Sequence, residues 1–176
     1  MVWVLKQGRV HIGRLHPNGK LSANCVMKKG DLFCCLPAVD GGVYPATAIA
    51  RESSLIVGIP AENFSRLTTR NPAFSRFALA NLSGCVRRVE ALGGARGYES
   101  AEVRVVMVLL LMESKFGPVI PLTREEIAEL SGLTVETTIR VVSRLKKERL
   151  VSPSPRGSVR INAPRLRAYL ESPNTI

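Results

Sequence analysis

The sequence predicts an α+β fold in three parts: short strands, then a long helix, then a C-terminal winged helix-turn-helix. Residues 2–57 alternate apolar and polar positions in short runs separated by turn residues, which is typical of a barrel or jelly roll. Residues 72–92 carry apolar side chains at alternating spacings of four and three. Residues 121–161 contain two helix-start signals with a glycine turn between them, followed by a stretch rich in Pro, Ser and Gly.

The composition allows a packed core and favours a polyanionic partner. The chain has 176 residues, 45% hydrophobic and 22% charged, enough for one large or two small domains. Its formal net charge is +11, and from residue 121 onward 10 Lys and Arg against 6 Asp and Glu contribute +4. This positive charge favours DNA, RNA or an anionic membrane surface as a partner, and it does not distinguish among the three. Because the sequence shows neither a membrane-spanning stretch nor a secretory signal, we expect a cytoplasmic protein that does not bind membranes.

Turn signals divide the N-terminal residues into strands. Gly8 and Gly13 interrupt the first apolar runs. Asn18-Gly19 is a strong hairpin signal, which makes residues 21–27 the return strand. Residues 28–31 are expected to form the next turn, and residues 46–59 supply further short strands.

Two helices are expected to follow the strands. Residues 60–67 have the pattern of a short helix, Asn71-Pro72 opens a longer one, and Gly93-Gly94 should interrupt it. We interpret a heptad seam on the longer helix as a dimer interface, formed by Ala78, Leu82, Cys85, Val89 and Leu92. A packing face within one chain is the alternative, because the seam is short. A further apolar helix is expected over residues 100–115.

Capping signals predict the helix-turn-helix. Thr123 and Glu126 form a capping box that starts a helix. Gly132 ends this helix in the left-handed conformation, and Thr134 caps the next one. A short turn between two capped helices is typical of a module that places its second helix in the DNA major groove.

Successive residues of a helix are rotated by about 100°, and this spacing divides the second helix into two faces. Its apolar arc consists of Val135, Thr138, Ile139, Val142 and Leu145, and its polar arc of Glu136, Arg140, Ser143, Arg144 and Lys147. The polar arc suits groove reading, because Arg bonds guanine and Glu accepts from the cytosine amino group. Arg144 and Lys147 lie further along the helix and suit phosphate contacts. The alternative is a helical hairpin with a solvated charged face.

A small hairpin is expected after the second helix. Residues 152–158 are too rich in Pro, Ser and Gly to continue a helix, and Val159 and Ile161 then alternate with Arg160. We interpret this hairpin as a wing with Arg156 near its tip. A last short helix should follow over residues 164–170.

This order of parts resembles the CRP/FNR superfamily of bacterial transcription regulators. The similarity is most specific at residues 122–161, where LTREEIAELSGLTVETTIRVVSRLKKERLV resembles the DNA-binding signature and GLTVET is similar to the fumarate-nitrate regulator branch. VLKQGRVHIGRLHPNGK resembles the family's strand-Gly-strand passage, and KKGDLF with DGGVYPATAIA resembles its effector-loop region. The resemblance implies a partial cyclic-nucleotide-binding-type β jelly roll, a long dimerisation helix and a winged helix-turn-helix.

The resemblance also implies a homodimer that reads a palindromic TGA-type site in double-stranded DNA. Glu136 and Arg140 fall on two base-reading positions of the family. Ile139 falls on a third, where it is expected either to contact a thymine methyl or to be core. The expected phosphate and wing contacts are Thr134, Ser143, Arg144, Lys147 and Arg156. RNA polymerase is a further candidate partner.

The departures from the family lie in the sensor part. Cyclic-AMP binders of the family hold the phosphate with a Glu after the Gly-Asp turn and an Arg-Ser pair beyond the loop. Here those places carry Cys34-Cys35, Tyr44-Pro45 and Ala46. The sequence also lacks the N-terminal cysteine cluster of the iron-sulfur branch, so we expect neither cofactor. For Cys34 and Cys35, haem or redox sensing is the alternative to core packing; for Cys85, the alternative is a cross-dimer disulfide.

The resemblance divides the chain into a truncated sensor domain (residues 1–70), a dimerisation helix (71–97) and a DNA-binding domain (98–176). The sensor is expected to lack its first strands, because the chain opens almost directly on the strand-Gly-strand passage. We expect no enzyme, because the sequence shows no Ser-His-Asp set, phosphate-binding glycine loop, paired acids or clustered metal ligands. Two alternatives stay open: a protein-interaction module with the helix-turn-helix as scaffold, and a jelly-roll small-molecule binder or enzyme.

Overall fold

The computed structural model describes residues 1–98 and 100–171. The chain divides into two compact units, Met1–Val89 and Glu90–Ile176. The first unit is rich in strands and the second in helices.

The Met1–Val89 unit is built on two antiparallel three-stranded sheets. One sheet has the order β4-β1-β6, formed by β1 (Val2–Gln7), β4 (Leu32–Phe33) and β6 (Leu55–Ile59). The other has the order β3-β2-β5, formed by β2 (Val10–Leu15), β3 (Leu21–Met27) and β5 (Thr47–Ala50). The expected hairpin is confirmed, because the backbone of His16 bonds that of Lys20 around Gly19, whose φ is 78°.

Gly13 lies inside β2, so the expectation that it interrupts the strand is wrong. The β2–β3 register shifts between Ile12 and Gly13. A Cβ at residue 13 would overlap the backbone carbonyl oxygen of Ser22. Glycine therefore permits the close approach of two strands at a bulge, a requirement that the sequence pattern does not reveal.

Two apolar clusters fill this unit. The first contains Val2, Leu32, Cys35, Phe64 and Ala78. The second contains Leu5, Val10, Cys25, Met27 and Phe33. The helices of the unit are α1 (Leu36–Asp40), which the sequence pattern did not indicate, α2 (Ala61–Arg70) and most of α3 (Pro72–Arg96). The rings of Phe64 on α2 and Phe74 on α3 pack edge to face, with centroids 5.8 Å apart.

Helix α3 continues through Gly93-Gly94, so the predicted interruption is wrong. Each glycine in a helix costs about 0.5–1 kcal/mol relative to alanine. The residues that flank the pair, Leu92 and Ala95, are only 1% and 2% exposed. Their burial offsets the low helix propensity of the pair.

The Glu90–Ile176 unit packs helices around α4 (Ala101–Phe116), which confirms the helix expected over residues 100–115. The Ser100 side chain caps its start by accepting a hydrogen bond from the Val103 amide. The helices α5 (Arg124–Ser131), α6 (Val135–Lys147) and α7 (Ala163–Leu170) all contact α4. A small sheet of order β7-β9-β8 consists of β7 (Val119–Ile120), β8 (Val151–Pro153) and β9 (Val159–Ile161). The core side chains of α4 include Val105, Val106, Val108, Leu109 and Met112. Within residues 1–98 and 100–171, no helix has the length and apolarity to cross a membrane.

Candidate nucleic-acid interface

The turn between α5 and α6 has the geometry that the sequence predicts. Thr123 accepts a hydrogen bond from the Glu126 amide, and the Glu126 carboxylate accepts one from the Thr123 amide at 2.7 Å. Gly132 has φ 66° and ψ 36°, the left-handed conformation that lets the chain turn sharply. The Thr134 hydroxyl accepts from the Thr137 amide and so caps α6. Two capped ends fix the start of both helices.

The buried face of α6 differs from the predicted apolar arc. Its buried residues are Thr138, Val141, Val142 and Leu145. Val135 is 37% exposed and Ile139 48% exposed, so their assignment to the packed face is wrong. At about 100° per residue, Ile139 lies a quarter-turn from the buried Thr138 and outside the arc that faces the core. Ile139 therefore belongs to the exposed face.

The exposed face of α6, here called the reading face, carries the three predicted base-reading residues and two of the predicted phosphate contacts. It consists of Glu136, Ile139, Arg140, Ser143 and Lys147. Successive spacings of four, three and four keep Glu136, Arg140, Ser143 and Lys147 on one side of the helix. The face combines one carboxylate, two cations, a hydroxyl and an apolar side chain. This set of groups matches the donors, acceptors and methyl groups of base-pair edges.

Arg144 is exposed, but two carboxylates contact its guanidinium. Nη1 lies 3.2 Å from Glu102, in the first turn of α4, and Nε lies 3.3 Å from Glu148. The nearby charge of Glu102 and the hydrogen bond to Glu148 raise the pKa of Arg144. Burial raises the pKa of Tyr169 to about 12, and its hydrogen bond to Glu102 adds to that shift. The charge of Arg144 is therefore partly offset within the protein.

The predicted wing is present as the antiparallel pair β8 and β9, joined by a 3-10 turn over Pro155–Gly157. Arg156 lies in this turn, while its side chain is outside the described residues. A groove of about 660 Å³ runs beside the wing, and its lining includes Lys146, Arg149 and Arg160. These cations suit contacts with a phosphate backbone.

Arg96, the last residue of α3, contacts the helix-turn-helix directly. Its Nε donates to the Leu130 carbonyl at 3.1 Å, and its Nη2 donates to the Glu129 carbonyl at 3.3 Å. These carbonyls belong to the last turn of α5, where backbone acceptors lack helical partners. Burial lowers the pKa of Arg96. Sequence reasoning missed this residue, because no local pattern links it to a helix more than 30 positions away.

Arg165 has a comparable role at the end of α6. Its guanidinium donates to the carbonyls of residues 148 and 149, both at 3.3 Å. Arg149 has φ 57°, a left-handed conformation that ends the helix. The C-terminal ends of α5 and α6 therefore each receive an arginine from elsewhere in the Glu90–Ile176 unit.

The predicted heptad seam of α3 coincides only in part with its exposed apolar row. Ala78 and Leu92 are only 3% and 1% exposed, and Leu82 and Cys85 are partly buried. The large apolar residues of α3 that are exposed by 40% or more are Phe77, Leu79, Val86 and Val89. Spacings of three, four and three link Leu79, Leu82, Val86 and Val89, here called the outer seam. This row keeps the heptad spacing, shares Leu82 and Val89 with the predicted seam, and leaves out its buried members Ala78 and Leu92.

The four cysteines lie close together in the Met1–Val89 unit. Cys25, Cys34 and Cys85 pack in the second apolar cluster, and Cys35 packs in the first. Burial raises the pKa of Cys34, and it raises the pKa of Cys35 to about 12. Across residues 1–98 and 100–171, His, Cys, Asp and Glu side chains form no group of three able to hold a metal ion.

Two family models match the chain, one in each half. A cyclic nucleotide-binding domain model matches residues 1–71. A Crp-like helix-turn-helix domain model matches residues 103–169. The second match covers α5, the turn, α6 and the wing.

Curated relatives and solved structures agree with these matches. The chain is 27% identical over 161 residues to the cyclic AMP receptor protein of Thermus thermophilus, covering 91% of this chain and 74% of that protein. It is 27% identical over 124 residues to the transcriptional activator protein FnrA of Stutzerimonas stutzeri, covering 66% of this chain and 51% of the relative.

The fold is similar to that of FixK2 from Bradyrhizobium japonicum, with a TM-score of 0.79 at 22% identity over 95% of this chain and 85% of FixK2. A CRP-family regulator of Thermus thermophilus, TTHB099, has a TM-score of 0.74 at 23% identity over 97% of this chain and 88% of TTHB099. The chain belongs to the CRP/FNR superfamily of transcription regulators, and its helix-turn-helix is a DNA-binding domain of that superfamily.

Proposed function

We propose that the chain is a homodimeric regulator that reads a palindromic TGA-type DNA site with the reading face of α6. The observation that carries this proposal is the position of Glu136 and Arg140. Both are exposed, four residues apart, on a helix whose opposite face is buried and whose start is capped. Packing and capping fix the helix backbone that carries these two side chains.

Each residue of the reading face has a chemical role in this proposal. Arg140 donates two hydrogen bonds to guanine O6 and N7, and Glu136 accepts from the cytosine amino group. Ile139, which is not part of the core, contacts a thymine methyl at the outer base of the half-site. Ser143 and Lys147 lie further along the helix and contact phosphates, as do the cations beside the wing.

The outer seam supports a homodimer. Leu79 and Val86 are 64% and 60% exposed on one continuous helix. A second copy packed against the same row would bury both, as in a two-helix coiled coil. A twofold dimer then presents its two reading helices about one DNA turn, roughly 34 Å, apart, which explains why a palindrome is the expected site. Contact with RNA polymerase would be an additional role of such a dimer, and we propose no catalytic step.

A gel-shift series tests the dimer and the palindrome together. Three probes are compared: a TGA-type palindrome, one half-site alone and a scrambled duplex. We expect the palindrome to bind most tightly, with affinity that falls steeply as salt rises. Val86→Glu should weaken binding to the palindrome, whereas Val43→Glu, at an 88% exposed position outside α3, should not.

Equal affinity for the palindrome and for the scrambled duplex would favour a protein-interaction role of the helix-turn-helix. Undiminished binding by Val86→Glu would instead contradict the outer seam as the dimer interface. The two failures are therefore distinguishable.

A further inference from the structure

Two cysteine side chains from distant parts of the Met1–Val89 unit contact each other. Cys25 lies on β3 and Cys85 on α3, 60 positions apart in sequence, and their Sγ atoms are 3.1 Å apart. A disulfide bond is about 2.05 Å long, so the sulfur atoms would have to approach by only about 1 Å. No local sequence motif brings these two residues together.

The surroundings of the pair favour a reaction between the two sulfur atoms. Cys25 is 2% exposed, whereas Cys85 is partly exposed. Both pack against apolar side chains of the second cluster, which hold them in place. Cys34 packs in the same cluster, and the proximity of Cys85 adds to the effect of burial in raising the pKa of Cys34. Cys85 is therefore the central thiol of the group.

We infer that Cys25 and Cys85 form a reversible intrachain disulfide when a small hydroperoxide reaches them. The Cys85 thiolate attacks one peroxide oxygen, the O–O bond breaks, and the leaving hydroxide takes a proton to become water. The Cys25 thiolate then attacks the sulfur of the Cys85 sulfenic acid, and a second water leaves. In total, the two thiols lose two protons and two electrons, and one hydrogen peroxide takes them up to become two waters.

The bond would join a strand of the sheet to the helix that carries the outer seam. Cys85 lies on α3 next to Val86, an exposed residue of that seam. A disulfide between positions so far apart restricts the unfolded chain and thereby stabilises the folded unit. A reversible bond of this kind is also the form in which disulfides occur in reducing compartments. The inference does not depend on the proposed DNA site.

A disulfide between Cys34 and Cys35 is less favourable than one between Cys25 and Cys85. Cys34 and Cys35 are adjacent in sequence, and adjacent cysteines rarely meet the geometric requirements of a disulfide. Burial raises the pKa of both, which lowers the thiolate fraction that reacts with peroxides. We therefore expect both to stay reduced while Cys25 and Cys85 pair.

Peptide mapping of the whole chain tests the inference, because trypsin separates the thiols. Cleavage at Lys and Arg places Cys25 in residues 21–28, Cys85 in residues 77–87, and Cys34 with Cys35 in residues 30–51. Reduced protein is treated with hydrogen peroxide, its remaining thiols are blocked, and it is digested. We expect peptide 21–28 linked to peptide 77–87, with the loss of two hydrogens, and separation of the two by dithiothreitol.

Matched variants and a melting curve complete the experiment. Cys25→Ser should abolish the link, whereas Cys34→Ser should keep it. The oxidised parent should unfold at a higher temperature than the reduced parent, and Cys25→Ser should lose this difference. Unlinked peptides 21–28 and 77–87, two copies of 77–87 joined to each other, or a link to 30–51 would each overturn the inference. If a variant fails to fold, the peptide map of the parent alone decides.

Discussion

Arg140 is the residue on which the proposed sequence recognition depends most. It is exposed on α6, one turn beyond Glu136, and its guanidinium matches the two acceptors that guanine presents in the major groove. A bidentate contact of this kind contributes about 1–3 kcal/mol of discrimination against the wrong base. The effect of removing it should appear at one base pair of each half-site.

Arg140→Ala should therefore lose its base preference at one position of the half-site. At the other positions the order of preferred bases should stay that of the parent. The measurement is a competition assay with probes that carry every base at each half-site position. Arg140→Lys provides the matched control, since it keeps the charge and loses the planar fork. If Arg140→Ala discriminates among all probes as the parent does, Arg140 does not read a base.

Lys147 and Arg144 differ as phosphate-binding candidates. Both are exposed cations on α6, but Glu102 and Glu148 contact Arg144. A phosphate would have to compete with two carboxylates for that guanidinium. Lys147 is therefore the better candidate for a phosphate contact, although helix periodicity places the two residues on the same polar face.

Lys147→Ala should weaken binding to every sequence alike and reduce the slope of log affinity against log salt by about 1. Arg144→Ala is the matched comparison and should change that slope less. Titrations of one palindromic and one scrambled probe over a range of salt concentrations give both slopes. Equal reductions in the two variants would show that the ion pairs of Arg144 open when DNA binds.

Arg96 connects the end of α3 to the last turn of α5. Arg96→Ala removes two hydrogen bonds from a charged donor to backbone carbonyls and should cost about 1–3 kcal/mol of folding free energy. Urea unfolding of the parent, Arg96→Ala and Arg96→Lys measures this cost, and the lysine variant should recover part of it. An unchanged unfolding midpoint for Arg96→Ala would mean that water replaces the guanidinium without loss.

The sequence predicted the elements whose signals are local. The capping box at Thr123 and the left-handed Gly132 were correct, because each depends on residues within one helical turn. Gly13 was misinterpreted, because the reason for its lack of a side chain lies on the neighbouring strand. The continuation of α3 through Gly93-Gly94 likewise depends on burial of the flanking residues.

The residues of the candidate site were likewise predictable only where their signals are local. Glu136 and Arg140 follow from helix periodicity together with the resemblance, and both lie on the exposed face of α6. Ile139 was ambiguous, since an apolar residue at the edge of an arc fits either face. Arg96 and the Cys25–Cys85 contact could not be predicted, because both are tertiary contacts without a local pattern.

At the scale of the molecule, buried His11 links the stability of the strand-rich unit to pH. Its side chain is 0% exposed. Burial lowers its pKa from 6.5 to about 3, with further contributions from the charges of Arg51 and Arg9. The folded state therefore keeps His11 neutral at a pH where the unfolded chain protonates it. Its contribution to stability is complete above pH 6.5 and is lost as the pH falls from 6.5 towards 3.

Between pH 6.5 and pH 5.5 this effect should lower the free energy of unfolding by about 1 kcal/mol. Urea unfolding at several pH values, for the parent and for His11→Gln, isolates the effect as the difference between the two slopes. His16→Gln controls for the loss of a histidine in general. Parallel curves for the parent and His11→Gln would show that His11 protonates equally in the folded and unfolded states.

A homodimer that reads two inverted half-sites with Glu136 and Arg140 should select a defined sequence from a pool of random DNA. Random duplexes are bound by the full chain, recovered and sequenced over several rounds at fixed salt. We expect an inverted repeat of TGA-type half-sites with centres about 10 base pairs apart. Arg140→Ala should select the same repeat with one base pair of each half-site relaxed. Recovery of unrelated sequences, or of a single half-site without its inverted copy, would contradict the proposed recognition by a homodimer.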